Sequence, residues 1–549
     1  MKEPASALRI ATLAVVALVV SDCTVGPNFE QPQPWWSPTS WFQGRPEVRQ
    51  TTASSSEPVA EPVDPTWWRL FDDPQLTTLV QRVAASNLDV RVATVRLAES
   101  RASLRVARAD QFPSFNGNSS YTYQQPSRKG VLSELGTAAS SGSGGTSGST
   151  SASTSGASSG GLPNTPMSGT PGVASNGAGA TQGAVPNTAI FNPFSLYQYG
   201  FDASWELDFW GRVRRNVESA AAQQTESEES RRNTVLQAVA EMARDYIQLR
   251  GTQRQIEITR ENLNTAQQSL QLTQDRAVGG LATDLDVQNA AAQVDTTQSQ
   301  IPPLQAQEAQ LINAISLLLA EAPNTLRAEL QTPKPIPPVP PRVPVGLPSE
   351  LARRRPDIRQ AEAALHSATA DVGVAVADFY PRVTLSGSFA IQALNAKDLG
   401  DWAARTYSIG PSLTLPIFEG GRLRGTLALR KAQQQEAAVN YQRTVLQALH
   451  DVDNALTSYQ TEQQRQAQLQ LAVVANQRAV ALARERYTQG IADFLNVLDA
   501  ERSLLAAQQQ LTDSTTMIST DLVQLYKALG GGWESDYPAE DEAVKQAAL

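Results

Sequence analysis

Four segments of the chain alternate apolar and polar residues with a period of two. They cover about 114–125 and 197–210 in the first half of the sequence, and about 381–392 and 405–418 in the second half. Aromatic, aliphatic and small residues fill one set of alternate positions, while Asn, Ser, Thr, Gln, Asp and Glu fill most of the other set. Because successive side chains of a strand point to opposite faces, each segment predicts a β-strand with one apolar and one polar face.

Two long stretches of the chain carry the period of an α-helix instead. Residues 211–278 and 421–489 contain no proline, and apolar residues recur in both at alternating spacings of four and three, as at Val235, Val239 and Met242. This spacing is typical of a coiled-coil seam. At about 1.5 Å per residue, each stretch predicts a helix roughly 100 Å long.

A return helix is predicted after each long helix. Gly279 and Gly280 end the first long helix, Gly490 ends the second, and helical patterning resumes over 283–320 and 493–529. Glycine is the residue best suited to end a helix and turn the chain. Each half of the sequence therefore predicts two strands and one helical hairpin.

The two halves are copies of one unit. Ala-Asp-Gln-Phe-Pro at 109–113 recurs as Ala-Asp-Phe-Tyr-Pro at 377–381, an offset of 268, and Gly-Arg-Val-Arg at 211–214 recurs as Gly-Arg-Leu-Arg at 421–424, an offset of 210. The first half therefore carries 58 additional residues between these blocks. They fall in a Ser/Gly-rich stretch within about 126–196, which predicts a flexible outer loop.

The N-terminus has the pattern of an export signal. Basic residues precede an unbroken apolar or small run from Ile10 to Val20, which is too short to span a bilayer as a helix. Cys23, the only cysteine, follows this run. The segment resembles lipoprotein signals, whose cysteine takes a diacylglyceryl group, and Thr24 at the next position implies sorting to the outer membrane.

These patterns divide the chain into six parts. In order they are a signal peptide 1–22, an N-terminal extended segment 23–73 with the lipid anchor, a first repeat 74–323 with its hairpin at 211–320, a proline-rich linker 324–347, a second repeat 348–530 with its hairpin at 421–529, and a C-terminal tail 531–549.

The predicted strands need partners outside the chain. Strands of about ten residues with one apolar face fit a transmembrane barrel, but four strands cannot close one, and an open sheet edge is not tolerated in lipid. A soluble β-sandwich is the alternative, yet four strands cannot build both of its sheets beside so much helix. A dimer supplies about eight strands and a trimer about twelve, and only the wider barrel leaves an aqueous lumen.

Composition and charge disfavour other functions. The formal net charge of −9 provides no basic surface for nucleic acid. We find no catalytic motif that combines a nucleophile, a base and an orienting group, and His366 and His450 lack metal-ligand spacing. We therefore expect no enzyme activity, no metal and no cofactor.

Two motifs resemble the TolC and OprM type of outer-membrane efflux protein, particularly its lipidated OprM-like branch. They are Arg-Arg-Pro-Asp-Ile-Arg-Gln-Ala-Glu at 354–362 and Leu-Asp-Ala-Glu-Arg at 498–502. The resemblance covers nearly all of the mature chain. It implies a mixed α and β membrane protein: a homotrimeric 12-stranded barrel, with four strands from each chain, joined to a 12-helix α-barrel.

The same resemblance implies a function, a location and partners. The chain would be the outer-membrane channel of a tripartite efflux system, a passive exit duct for drugs or other small molecules. It would be lipid-anchored in the outer membrane, extend far into the periplasm, and receive its cargo from an inner-membrane RND-type pump and a periplasmic adaptor protein.

A gate is expected at the far end of the hairpins. Leu495 and Asp499 are one helical turn apart, so in a trimer they could form an apolar ring and a cation-binding carboxylate ring. The resemblance places the family's gate at these positions, and Arg502 and Tyr487 match family positions near it. Leu285 occupies the equivalent place in the first repeat.

Two other classes of protein remain open at this point. A trimeric autotransporter-like adhesin also builds a barrel from four strands per chain, although its anchor is expected as one C-terminal unit and these strands lie mid-chain in two pairs. A periplasm-spanning structural lipoprotein is the third possibility.

Overall fold

The computed structural model describes residues 24–31, 56–59, 61–125, 193–345 and 354–534. The predicted signal peptide, Cys23, most of the Ser/Gly-rich loop and the end of the C-terminal tail lie outside these residues. The chain forms two compact units. The smaller one comprises 113–206 and 384–412, and the larger one comprises the remaining segments 1–112, 207–383 and 413–549.

The smaller unit is built on a four-stranded sheet with the strand order β2-β3-β5-β6. The strands are β2 (Ser114–Gln124), β3 (Phe194–Leu207), β5 (Arg382–Ala393) and β6 (Arg405–Thr414).

The register of the sheet aligns the apolar positions of neighbouring strands. β2 and β3 are antiparallel and pair Phe115 with Ala203 and Tyr121 with Tyr197, whose ring centroids lie 4.8 Å apart. All of β2 is exposed on both faces in a single chain. A sheet with one apolar face and no covering layer needs a non-aqueous neighbour on that side.

Two of the strands end earlier than predicted. β3 stops at Leu207 rather than near residue 210, because the Asp208 carboxylate accepts the backbone N–H of Arg214 at 2.8 Å and turns the chain toward the next helix. β6 stops at Thr414 rather than near residue 418, and Pro416 beyond it has no N–H to donate to a neighbouring strand.

The larger unit is mostly helical. A 3₁₀ helix at Trp67–Phe71 is followed along the chain by the α-helices α1 (Pro74–Ser86), α2 (Leu88–Ala109), α3 (Arg212–Val278), α4 (Asp284–Ser299), α5 (Ile301–Leu318), α6 (Arg327–Leu330), α7 (Pro356–Ala377), α8 (Arg422–Thr488) and α9 (Phe494–Ala528).

A short two-stranded sheet joins the N-terminal segment to the proline-rich linker. β1 (Glu57–Val59) pairs in parallel with β4 (Arg342–Pro344). The Ser56 N–H donates to the side chain of Gln463 on α8 at 3.2 Å. The linker therefore pairs with the N-terminal segment, which in turn is fastened to the second long helix.

The long helices α3 and α8 show the internal repeat directly. Both contain 67 residues, and both follow a glycine with positive φ, 82° at Gly211 and 88° at Gly421. Such φ values are strained for residues with a side chain, so glycine allows the sharp entry into each helix. The two hairpins thus begin with a glycine in the same backbone conformation.

The hydrophobic core lies along the coiled-coil seam predicted for the long helices. Val239 and Met242 of α3 are fully buried, and Val445 and Tyr459 of α8 belong to the same cluster. Further members come from α5 and α9: Ile312, Ile315, Leu319, Ile518, Leu522 and Leu525. The core therefore binds both hairpins together at this level.

The first return helix is not continuous, which corrects the prediction of one helix over 283–320. It breaks at Gln300 into α4 and α5, and Pro302 and Pro303 follow the break. Proline has no N–H to donate and its ring collides with the preceding turn, so it is tolerated only in the first turn of a new helix. The equivalent helix α9 has no proline and runs unbroken for 35 residues.

Aromatic stacking holds Trp67 against the end of α9 and the glycines that follow it. Trp67 is fully buried, its ring stacks on Tyr526 at 5.4 Å, and its Nε1–H donates to the Gly531 carbonyl at 3.0 Å. A Cβ on Gly532 would lie 2.7 Å from that indole nitrogen, so glycine is required for this close approach. Trp67 of the N-terminal segment therefore packs against Tyr526 of α9 and the glycines that follow this helix.

We predict that Trp67→Ala lowers the free energy of unfolding by about 3 kcal/mol, because it opens a large cavity in a core that cannot fully collapse. Chemical denaturation of detergent-solubilised protein measures the change. Trp402→Ala is the matched control, since Trp402 is 66% exposed. Equal effects of the two substitutions would contradict the packing described here.

Candidate channel gate at the hairpin tips

The two hairpins end in turns of the same construction, here called the tips, residues 276–283 and 486–493. In the first tip the Leu281 N–H donates to the Arg276 carbonyl at 2.8 Å, and in the second the Ile491 N–H donates to the Arg486 carbonyl at 2.9 Å. This is the six-residue closure typical of a helix that ends at glycine. The duplicated sequence thus gives duplicated tips.

The predicted gate residues Leu495 and Asp499 lie on the exposed face of α9. Leu495 is 55% exposed in a single chain, and Asp499 is exposed one turn further along the helix. Leu285 of α4 is 69% exposed. Three apolar or acidic side chains near the tips are therefore available to a neighbouring chain or to the solvent.

Tyr487 does not share that exposed face. It is buried in a small cluster with Phe494, with ring centroids 5.4 Å apart, and the Arg276 guanidinium lies 4.6 Å from its ring centroid. Arg276 also donates to the Thr488 carbonyl at 2.8 Å. Tyr487 therefore joins the first tip to the second rather than facing Leu495 and Asp499.

Arg502 likewise connects the two hairpins. Its Nε–H donates to the side-chain carbonyl of Gln293 on α4 at 2.7 Å. This hydrogen bond links α9 to α4 a few residues from the predicted gate, and thereby fixes the position of α9 beside the first hairpin.

A buried ion pair that the sequence analysis did not single out lies beside these residues. Glu501 is 6% exposed and accepts from Arg484 of α8 at 2.8 Å and from the Ser269 hydroxyl of α3 at 2.7 Å. Arg484 also donates to the Ser269 hydroxyl at 3.1 Å. One carboxylate thus joins α9 to α8 and α3, and its removal would leave Arg484 with only the Ser269 hydroxyl and the Thr265 carbonyl as acceptors.

Polar contacts between the hairpins recur along α3 with a seven-residue spacing. We call Gln255, Asn262, Ser269 and Arg276 the polar seam. They contact Asp513, Gln508, Glu501 and Thr488 respectively, with 2.7 Å between the Asn262 and Gln508 side chains. Seven-residue spacing keeps a residue on one side of a coiled coil, and this repeat is the signal by which the sequence could have revealed the seam.

The polar seam replaces the apolar core in the half of the hairpins nearer the tips. Burial raises the pKa of Asp513, against the opposing effects of Gln255 and Arg465. The seam therefore holds the Asp513 carboxylate at some desolvation cost. Hydrogen bonds of this kind contribute less to stability than apolar packing does. They specify the alignment of the helices more strictly.

Two further features of the described part of the chain concern the length of its apolar helices and the grouping of its metal-ligating side chains. No helix there combines the length and apolarity needed to cross a bilayer. Across the same residues, no three His, Cys, Asp or Glu side chains cluster as metal ligands. His366, singled out in the sequence, instead contacts Glu218 at 2.9 Å and stacks on Phe29 at 4.3 Å.

The fold and the tips define a class of protein. A sheet with an exposed apolar face and two duplicated helical hairpins of 67-residue helices characterise a subunit of an outer-membrane channel. A sequence model described as "Outer membrane efflux protein" matches residues 174–321 and 347–531. The chain belongs to this family.

Individual relatives align over almost the whole chain. The chain is 31% identical over 548 residues to the "Probable efflux pump outer membrane protein TtgC" of Pseudomonas putida, covering 98% of both sequences. It is 29% identical over 539 residues to the "Outer membrane protein OprJ" of Pseudomonas aeruginosa, covering 97% of both. The solved outer-membrane channel OprN is 32% identical, with a TM-score of 0.76 over 93% of this chain and all of that one.

These similarities confirm the predicted fold class and the predicted general function. The chain is a mixed α and β protein of the kind found in trimeric channels with a helical barrel and a four-stranded sheet in each subunit. It serves as an outer-membrane exit channel of an efflux system. The gate residues and the lipid anchor remain predictions.

We predict that Glu501→Ala destabilises the tip of the second hairpin by about 2 kcal/mol. The destabilisation is smaller than for a fully buried ion pair, because Arg484 is one-third exposed. Amide hydrogen exchange across residues 494–510 measures this local opening. Asp295→Ala, which removes an exposed carboxylate from α4, is the control and should leave exchange unchanged. Equal protection in both variants would rule out the ion pair as a tether.

Proposed function

We propose that three copies of this chain form one outer-membrane exit duct, with a 12-stranded barrel and a 12-helix periplasmic tunnel. The observation that carries the proposal is the four-stranded sheet, whose outer strands β2 and β6 have one neighbour each in the described sheet. Its aromatic face is exposed, with Phe115 and Tyr407 each more than 70% exposed in a single chain. Copies that share these edges satisfy the backbone and place the apolar face in lipid.

The duct acts without chemistry of its own. It passes drugs or other small molecules received from an inner-membrane RND-type pump through a periplasmic adaptor protein, and it has no enzyme activity. Support comes from the name of the Pseudomonas putida relative, an efflux pump outer membrane protein. The position of the strands, mid-chain in two pairs, disfavours an adhesin.

The mature chain is anchored to the outer membrane by a lipid on Cys23. Residues immediately after Cys23 are held on the larger unit: the Val25 N–H donates to the Trp210 carbonyl at 3.1 Å, and the Trp210 ring stacks on Tyr380 at 4.7 Å. Stacked Trp and Tyr rings are typical of residues at a membrane interface. A lipid attached next to them would enter the bilayer beside the protein.

The tips form the closed end of the duct. In the trimer, three Leu495 side chains narrow the opening and three Asp499 carboxylates bind cations, with Arg502, Tyr487 and Leu285 near them. Support comes from the exposure of Leu495 and Asp499 on one face of α9, which leaves both side chains available to the lumen.

We predict that Asp499→Ala raises the basal ion conductance of the trimer, or weakens its block by divalent cations, because the carboxylate ring is lost. Planar bilayer recordings on purified parent and variant measure both quantities. Asp295→Ala removes an exposed carboxylate from α4 and is the control, expected to conduct as the parent does. Unchanged conductance and cation block in Asp499→Ala would refute the assigned gate, and no conductance in either protein would refute the duct.

A further inference from the structure

Helices α2 and α7 are equivalent members of the two repeats. Both contain 22 residues, and the offset of 268 pairs Leu97 with Leu365 and Ala102 with Ala370. Each helix packs on the long helix of its own hairpin, α2 on α3 and α7 on α8. In the first repeat Arg231 donates to Thr94 at 3.0 Å, and the offsets of 210 and 268 place Tyr441 and Glu362 at the equivalent positions, where burial and the nearby Glu362 raise the pKa of Tyr441.

Helix α7 has a second partner, the long helix α3 of the preceding repeat. Ser219 of α3 donates to Asp371 at 2.7 Å and contacts Ser367 at 3.1 Å, and Glu229 of α3 forms an ion pair with Arg359 at 2.6 Å. We call this contact the internal junction. It is polar, and it is buried inside one chain.

The surface of α8 that corresponds to the α3 side of this junction is exposed. With the offset of 210, Ser219 corresponds to Leu429 and Glu229 to Val439. Leu429 is 55% exposed and Val439 is 62% exposed. Buried polar residues in the first repeat are thus replaced by exposed aliphatic residues in the second.

The surface of α2 that corresponds to the α7 side of the junction is exposed as well. It carries Val92, Val95, Glu99, Ala102 and Val106 at spacings of three, four, three and four, the pattern of a coiled-coil seam. Val106 is 70% exposed. A second apolar stripe of this spacing calls for another helix against it.

A Gly–Arg pair at the internal junction recurs, with the residue types exchanged, on the two exposed surfaces. At the internal junction, Gly373 of α7 lies against Arg215 of α3, and a Cβ on that glycine would be 2.9 Å from Arg215 Cδ. The equivalent positions are Arg105 on α2 and Gly425 on α8, with the residue types exchanged. Arg105 is exposed, and within the described chain no heavy atom comes within 4 Å of a Cβ placed on Gly425.

We propose that α2 of one copy packs on α8 of the next copy in the arrangement that α7 takes on α3, with Arg105 over Gly425. This inference rests on the proposed homotrimer and names the surfaces that join its copies. The contact is heterologous, and in the proposed trimer its repetition around a threefold axis closes a ring. Because α8 carries Leu429 and Val439 where α3 carries Ser219 and Glu229, α7 packed on α8 in this way would leave Asp371 and Arg359 without these partners, and the two junctions are not interchangeable.

Cysteine crosslinking of the full-length protein in membranes tests the contact. A chain carrying both Arg105→Cys and Gly425→Cys should give covalent dimers and trimers on a denaturing gel after oxidation, and either substitution alone should give neither. Arg215→Cys with Gly373→Cys is the matched control, which should crosslink within one chain and give no ladder. A parent trimer that conducts ions but yields no ladder in the double variant overturns this contact and leaves the proposed duct intact.

A substitution and its rescue test the same contact without a crosslink. Gly425→Arg fills the space beside Arg105 with a like charge, so the trimer fraction in detergent should fall at least tenfold, while the variant helix itself gains propensity. Arg105→Ala added to Gly425→Arg should restore the trimer. An undiminished trimer in the single variant overturns the inference, whereas a crosslinked trimer that fails to conduct supports the junction and counts against the proposed function.

Discussion

An outer strand of a β-sheet carries backbone N–H and C=O groups without a partner, and in hydrocarbon each such group costs several kcal/mol. The four-stranded sheet, as far as the described residues show it, leaves two such edges, on β2 and β6. Exposing the apolar face of this sheet to water is unfavourable. Its open edges, in turn, cannot hydrogen-bond to lipid. Both problems have one solution, a closed barrel made from several copies, and the oligomeric channel follows from that constraint.

Two kinds of contact join the helical hairpins. Around Trp67 an apolar core including Met242 and Leu522 joins both hairpins, and toward the tips the polar seam on α3 accompanies a smaller apolar cluster. Apolar burial provides most of the stability, while the hydrogen bonds of the seam fix which residues of the two hairpins face each other. Glu501 is the buried partner of Ser269 in the seam. It accepts hydrogen bonds from two donors at once, so its substitution removes the most contacts.

Much of this architecture could be predicted from the sequence because it rests on periodicity and duplication. The seven-residue pattern around Val239 and the Gly-Arg blocks at 211 and 421 are local signals, and the long helices follow from them. Contacts between distant residues carry no such signal, which is why the Glu501 ion pair and the burial of Tyr487 emerge only in three dimensions. The break at Gln300 could have been predicted, since Pro302 and Pro303 adjoin it.

Native mass spectrometry of the mature protein tests the central claim most directly. The account predicts that the protein leaves the membrane only with detergent and that, once the detergent is removed in the gas phase, the dominant species has the mass of three chains. A single chain that stays in aqueous solution without any detergent would contradict it, because the two open edges and the aromatic face of its sheet would then have no partner.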